Sequence, residues 1–352
     1  MHHSRIKKAL LILAYSLIGL LLVLAVLSIK KVPEKINYGA SFSVFHSNEL
    51  DLDWKTTYNA ILHDLGVRKF RLSAHWPLTE PQDNVFNWSE LDYQIKEAEK
   101  VDAKVVLAIG RRLPGWPECH EPDWAKNLSK EDKQSQILEY LTAVVNRYKN
   151  SPAVAYWQVE NEPFLTVFSK ENCGNFLDKE FLQKEVAHVR SLDPKTTTKS
   201  SDGSIVRPIL VTDSGELSLW KDAYESGDAF GTSVYIYIWN HYVGSIRYPI
   251  TPAFFRIKSN LVNMFYGNGE PKESILIELS LEPWLLQPIK DTSLDITTDR
   301  MSMHKFNEII EFAGKTGFED QYLWGAEWWY FMKEKNHPEY WERAKEIFSQ
   351  TK

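Results

Sequence analysis

Short β-forming runs alternate with amphipathic helical stretches eight times along this chain, and that alternation restricts the fold more than any other feature. The β-rich runs fall at residues 36–44, 67–73, 104–110, 154–160, 209–212, 230–239, 274–279 and 322–328. Helices are predicted at 51–65, 89–101, 137–148, 176–192, 217–225, 252–264, 301–315 and 338–349; in the second of these, Leu91, Ile95 and Ala98 recur at helical spacing. Parallel strands need a crossover of a dozen or more residues, which such helices supply. Eight units without a G-x-G-x-x-G after the first strand predict a single closed (β/α)8 TIM barrel rather than an open doubly wound sheet.

The N-terminal segment is different material. Residues 9–29, ALLILAYSLIGLLLVLAVLSI, carry no charge and are long enough to cross a hydrocarbon core of about 30 Å as a helix. The chain therefore divides into a short basic tail at 1–8, a transmembrane anchor at 9–29, a juxtamembrane linker at 30–35 and the barrel domain at 36–352. Arg5, Lys7 and Lys8 precede the apolar run and Lys30, Lys31 and Lys35 follow it, so flanking charge hardly sets the orientation. A short tail before a large domain favours a single-pass protein with its barrel outside the cytoplasm. Secretion after signal cleavage is the alternative, although no A-x-A cleavage pattern is present.

A net charge of −6 and the absence of a Lys/Arg block argue against a nucleic-acid binder. Only Cys119 and Cys173 carry thiols, outside any CxxC or Cys/His cluster, so no metal site is expected. The 13 Trp, 16 Tyr and 17 Phe suit either a rich core or a cleft lined with flat rings, on which the C–H faces of sugars stack.

Barrel active sites form at the C-terminal ends of the strands. The fourth run ends in YWQVENEPF, placing Glu160, Asn161 and Glu162 at the mouth, and the seventh ends at Glu278. A carboxylate at a strand end is costly unless paired or protonated. Two of them facing across the mouth at about 5–5.5 Å could perform retaining glycoside hydrolysis.

This pairing resembles glycoside hydrolase clan A, the retaining (β/α)8 superfamily that includes the family 5 cellulases. The resemblance implies that Glu162 is the acid/base and Glu278 the nucleophile, with Arg71 beside the nucleophile and Asn161 bonding the sugar 2-hydroxyl. It also implies a strand-six Tyr donating to the nucleophile. Tyr235 and Tyr237 share one face there, and Tyr237, nearer the strand end, is preferred. Trp328 is the expected sugar platform on strand eight, with Trp324 in the core. His75, Trp76 and Trp116 are candidate subsite walls. Glu160 would point one layer deeper, where it could pair with Arg71, and Glu282 is the main rival to Glu278, while Glu216 and Glu327 also end strands. Cys119 and Cys173 lie in adjoining loops after strands three and four, so a disulfide between them is geometrically open.

The expected activity is retaining hydrolysis of a β-linked oligo- or polysaccharide by a monomer, with no metal or organic cofactor and no nucleic-acid partner. The rival readings are an inert membrane-anchored glycan-binding barrel and a transglycosylase using the same residues.

Overall fold

The structure, a computed structural model, describes residues 2–29, 32–166, 173, 178–240, 242, 244–285 and 287–350. Ten strands follow in chain order: β1 (Asn37–Phe42), β2 (Lys69–Ser73), β3 (Lys104–Ile109), β4 (Val154–Val159), β5 (Ile209–Asp213), β6 (Ala229–Val234), β7 (Tyr237–Asn240), β8 (Gly244–Arg247), β9 (Ser274–Ser280) and β10 (Asp320–Trp324). Eight of them close a parallel barrel in the order β1-β10-β9-β6-β5-β4-β3-β2, while β7 and β8 form a separate antiparallel hairpin. The expected (β/α)8 barrel is present.

The barrel strands are apolar runs rather than alternating ones because both faces are covered, one by the barrel interior and one by helices. Val106, in register with Arg71 on the neighbouring strand, belongs to a small interior cluster with Leu210, Ala229, Ile275, Ile277 and Tyr322. A much larger apolar layer lies between strands and helices, where Leu91, Ile95 and Ala98 of Ser89–Lys100 all pack. Side-chain caps start several helices: Asp53 accepts from the Thr56 amide, Asp178 from Phe181 and Ser129 from Asp132.

Two strands end far sooner than the sequence predicts. The sixth, expected over 230–239, leaves the barrel wall after Val234, beyond a register shift at Thr232/Ser233. The aromatic residues that follow serve the hairpin instead. The eighth, expected over 322–328, stops at Trp324, because Gly325 at φ 117° turns the chain into the helix Ala326–Glu334. A side chain at Gly325 would meet Leu281 and Glu282 at 3.0 Å, so both the turn and the close approach select glycine.

Helix α1 (His2–Leu27) covers most of the segment expected as an anchor. Its C-terminal carbonyls are bonded by the helix Pro252–Tyr266: Arg256 Nε donates to Ser28 O at 2.7 Å and Asn260 Nδ2 to Leu27 O at 2.6 Å. Among the described residues no helix is long and apolar enough to cross a membrane. The side chains of 2–10, 13, 14, 20 and 21 lie outside the described ones.

The base of β4 is fixed by a buried ion pair. Arg207 donates to Asp193 Oδ2 at 2.8 Å and to the carbonyls of Val154, Lys149 and Ser151, while Trp157 Nε1 donates to the same Asp193 oxygen at 2.9 Å. Asp193→Ala would leave a buried guanidinium and an indole N–H without their acceptor. The expected loss is about 3–5 kcal/mol in urea unfolding; a loss below about 1 kcal/mol, the scale of an exposed pair, would contradict this account.

Candidate active site

Arg71, on β2, is buried at 1% exposure and reaches three acceptors on two other strands. Its Nε donates to Gln158 Oε1 at 2.9 Å, its Nη2 to Asn161 Oδ1 at 2.6 Å, and its Nη1 to Glu278 Oε2. A rigid, always charged fork suits this geometry, which a lysine could not reproduce. Asn161 Oδ1 also accepts from Thr212 Oγ1 on β5 at 3.3 Å.

The strand-four acids are separated by a strained backbone. Glu160 and Glu162 have φ of 58° and 44°, in the left-handed region that costs a non-glycine residue about 1–3 kcal/mol. Hydrogen bonds from neighbouring strands hold the turn: Glu160 N donates to Ile109 O, Asn161 N to Arg112 O and Glu162 N to Thr212 Oγ1 at 2.8 Å. Glu160 is fully buried and does not pair with Arg71. It accepts from the amides of Arg111 at 2.8 Å and Arg112 at 2.5 Å, so it organises the loop after β3. Burial pushes its carboxyl up, and burial together with the charge of Glu160 holds Glu185, on Lys179–Leu192, well above the usual range. These two buried carboxyls also hydrogen-bond to one another.

Glu162 turns toward the cleft. Ser233 Oγ donates to Glu162 Oε1 at 2.6 Å, and Ser233 is the register partner of Glu278 on β9. Burial and then the charge of Glu278 push the Glu162 carboxyl up to about 8. Glu278 is 8% exposed and has both oxygens engaged, one by Arg71 and the other by Tyr235 Oη. Tyr235, just past β6, therefore takes the place expected of Tyr237. Tyr237, in the outer hairpin, donates instead to Glu308 on the helix Met303–Gly314, because the strand breaks between the two tyrosines and their shared face is lost. Glu216 fixes this break by accepting from the Tyr235 amide at 2.8 Å.

At the eighth strand end the indole at the mouth is Trp324, not Trp328. Trp324 Nε1 donates to Glu282 Oε1 at 2.6 Å, and its ring lies 5.9 Å from His46 in a stacked arrangement. Trp328 faces the core on Ala326–Glu334, fully buried, 4.5 Å from the Tyr340 ring, with no hydrogen-bond partner for its Nε1 among the described residues. The turn at Gly325 changes the period from two to 3.6 and swings Trp328 behind the barrel wall. Glu282, the rival acid, is held by Trp324 and by His46 Nε2 at 2.8 Å. Glu327 accepts from the Ser43 amide at 2.5 Å. His75 is buried between Phe45 and His120, and burial followed by the His120 charge lowers its pKa well below the ordinary range. Trp76 is buried with Tyr140, whereas Trp116 is 62% exposed on the loop after β3.

That loop is tied to the next. Cys119 and Cys173 form a disulfide, and Arg111 Nη2 donates to Cys173 O at 2.9 Å. Among the described residues no group of three or more His, Cys, Asp or Glu could hold a metal ion. Gln158, Thr212 and Ser233 escape sequence reading because no motif marks them; Gln158 lies within β4 just before the turn, and Thr212 and Ser233 lie on β5 and β6.

The sequence model of Glycosyl hydrolase family 10 matches residues 44–198. A mannan endo-1,4-beta-mannosidase F from Aspergillus clavatus is 29% identical over 133 residues, covering 32% of this chain and 29% of that relative, so the chain spans less than a third of its length. Among solved structures, a glycoside hydrolase family 5 mannosidase from Rhizomucor miehei in complex with mannosyl-fructose is 13% identical, with 85% of each chain covered and a TM-score of 0.52. Xylanase 10B from Thermotoga petrophila in complex with xylobiose is 15% identical, with 82% of each chain covered and a TM-score of 0.50. The fold is thus that of glycoside-hydrolase barrels. Families 5 and 10 both appear among the likenesses, so they do not single out the family 5 placement that the sequence resemblance implied.

The Glu162 environment makes a stability prediction with a definite sign. Its ordinary carboxyl value is 4.5 and its folded value about 8, so between these pH values the unfolded chain binds fewer protons and stability falls as pH rises. Glu162→Gln cannot ionise. Relative to wild type it should gain on the order of 1–3 kcal/mol in urea unfolding between about pH 5 and about pH 9, the full shift being discounted for the partly open cleft. A constant difference between the two proteins would contradict the assigned environment.

Proposed function

We propose that this chain is a retaining β-glycoside hydrolase whose substrate is a β-1,4-linked mannan or manno-oligosaccharide. The observation that carries the reading is the unequal treatment of two neighbouring carboxyls. Glu162 is kept protonated by burial and by Glu278, whereas both Glu278 oxygens accept from Arg71 and Tyr235. Pairs of acids driven apart in this way mark an acid and a nucleophile. The relatives named as mannosidases support the choice of sugar.

In the first step the Glu278 carboxylate forms a bond to the anomeric carbon as the glycosidic C–O bond breaks. Glu162 gives its proton to the leaving oxygen, and the sugar aglycone departs as an alcohol. In the second step ionised Glu162 removes a proton from water, and that oxygen displaces Glu278, restoring both carboxyls and the starting anomeric configuration. Asn161, oriented by Arg71, is placed to bond the sugar beside the anomeric carbon. No cofactor enters either step.

Membrane attachment through residues 9–29 and an extracytoplasmic barrel complete the proposal. Exposed Leu11, Ile12, Leu17, Ile18, Leu22 and Val23 along α1 support the first. The Cys119–Cys173 disulfide, a bond that persists in oxidising compartments, supports the second. Carbonate-washed membranes should retain the full chain and release one lacking residues 1–31; recovery of the full chain in the soluble fraction would remove the anchor.

Activity is tested on β-1,4-mannan, xylan and β-glucan with reducing-end and NMR product analysis. Hydrolysis of mannan with retained anomeric configuration is expected. Glu278→Gln should lose at least about 10³-fold in kcat, and Glu162→Gln should lose as much on mannan but far less on aryl β-mannosides whose leaving group needs no proton. Wild-type binding without turnover would favour the inert glycan-binding barrel, and transfer to an added sugar acceptor would favour transglycosylation. Tyr235→Phe should lower kcat/KM by about 10–100-fold, the worth of one hydrogen bond to a charged group, while Tyr237→Phe stays within about twofold. The reverse order would restore Tyr237 to the site.

A further inference from the structure

Behind Trp324 stands a polar cluster that the two-carboxylate chemistry does not use. Glu282, in the loop after β9, spends one oxygen on Trp324 Nε1 at 2.6 Å and the other on His46 Nε2 at 2.8 Å. His46, from the helix Val44–Glu49 after β1, bonds Glu49 Oε2 through Nδ1 at 3.1 Å and stacks at 26° on the Trp324 ring. Both nitrogens of His46 thus meet carboxylates, an arrangement that calls for the doubly protonated ring. The benzo carbons of Trp324 next to its Nε1 edge face the disulfide-tied loop: a Cβ built on Gly115 would lie 3.2 Å from Cη2. The backbone joins in, since Leu281 N donates to Trp324 O at 3.0 Å.

We propose that Glu282 and His46 are a positioning pair that sets the angle of the Trp324 indole at the barrel mouth and thereby the affinity for sugar in the cleavage subsite. The inference rests on the proposed glycosidase reading for its sugar, but the contact between pair and indole exists without substrate. A tryptophan platform acts through the area and angle it offers the sugar face. Its own χ2 rotation is soft, so a hydrogen bond at Nε1 is an efficient way to fix it. Glu282 alone would be a half-buried carboxylate beside Glu327 and within the field of Tyr235; the imidazolium balances it. The groups facing His46 are Glu49 on its own helix, Glu282 in the β9 loop and Glu327 on the helix after β10. Burial works against the His46 proton, but the charge and hydrogen bond of Glu282, the hydrogen bond of Glu49 and the charge of Glu327 outweigh it, leaving the ring well above its ordinary range. His46 therefore braces Glu282 as an imidazolium at neutral pH, and that brace is lost as pH rises through the His46 titration.

Three variants, Glu282→Ala, Glu282→Gln and His46→Gln, test this on the full chain, with thermal unfolding confirming that each folds. In ligand-free protein, the Trp324 contribution to tryptophan emission, obtained by difference from Trp324→Phe, should shift in Glu282→Ala and less in Glu282→Gln, which keeps an oxygen acceptor for Nε1. With manno-oligosaccharide as substrate, KM should rise about tenfold in Glu282→Ala and about threefold in Glu282→Gln and His46→Gln, with kcat within about threefold of wild type. The ratio of His46→Gln KM to wild-type KM should fall toward one at alkaline pH. An unchanged Trp324 signal, a KM unchanged in folded variants, or a loss confined to kcat overturns the proposal. Wild-type failure to hydrolyse mannan, with the ligand-free signal still following Glu282, overturns the choice of substrate and leaves the positioning pair standing.

Discussion

The buried guanidinium of Arg71 is the interaction on which the rest of the mouth depends. A charge at 1% exposure is tolerable only if it is hydrogen-bonded and a counter-charge is near. Arg71 meets both conditions by crossing the barrel: Glu278 from β9 supplies the charge, and Gln158 and Asn161 from β4 supply neutral acceptors. One rigid fork thereby fixes the spacing of the two strands that carry the functional acids. Because Asn161 is bonded to Arg71 and precedes Glu162 directly, the backbone turn that aims Glu162 is built on the same group.

Around that fork the barrel gives four acids four different environments. Glu278 receives donors on both oxygens. Glu162 receives one hydroxyl and the field of Glu278, and stays protonated to about 8. Glu160 is spent on two backbone amides, where it shapes the loop that carries Arg112 and, further on, the disulfide. Glu282 is spent on His46 and Trp324. The same side-chain chemistry thus meets four different fates by what donates to it, since hydrogen bonds and neighbouring charge decide which protonation state burial permits.

Much of this was legible before any coordinates. Alternating runs predicted eight strands, and buried strands are long apolar stretches whose type survives errors of a few residues at their ends. YWQVENEPF showed two acids at a strand end, and the period of two put Glu160 a layer below Glu162. What misled was the assumption that a period continues. In 230–239 the aromatic run looks uniformly β-forming, yet the barrel wall ends at Val234 and the remainder pairs locally with Gly244–Arg247. In 322–328 a single Gly at φ 117° converts strand to helix, so Trp324 and Trp328 exchange their expected places. Both failures moved a side chain from one face to another.

The sequence by itself determined the class of fold and the strand ends that carry carboxylates, because these follow from local periodicity and from the cost of burying charge; Arg71 was expected beside them only through the family resemblance. Tertiary structure alone decided which tyrosine meets Glu278, which tryptophan meets the cleft, that Glu160 binds amides rather than Arg71, and that Glu282 is joined to His46 across 236 residues. Those pairings depend on register between strands far apart in the chain and on where each strand stops, and no local pattern encodes the angle at which a distant donor arrives.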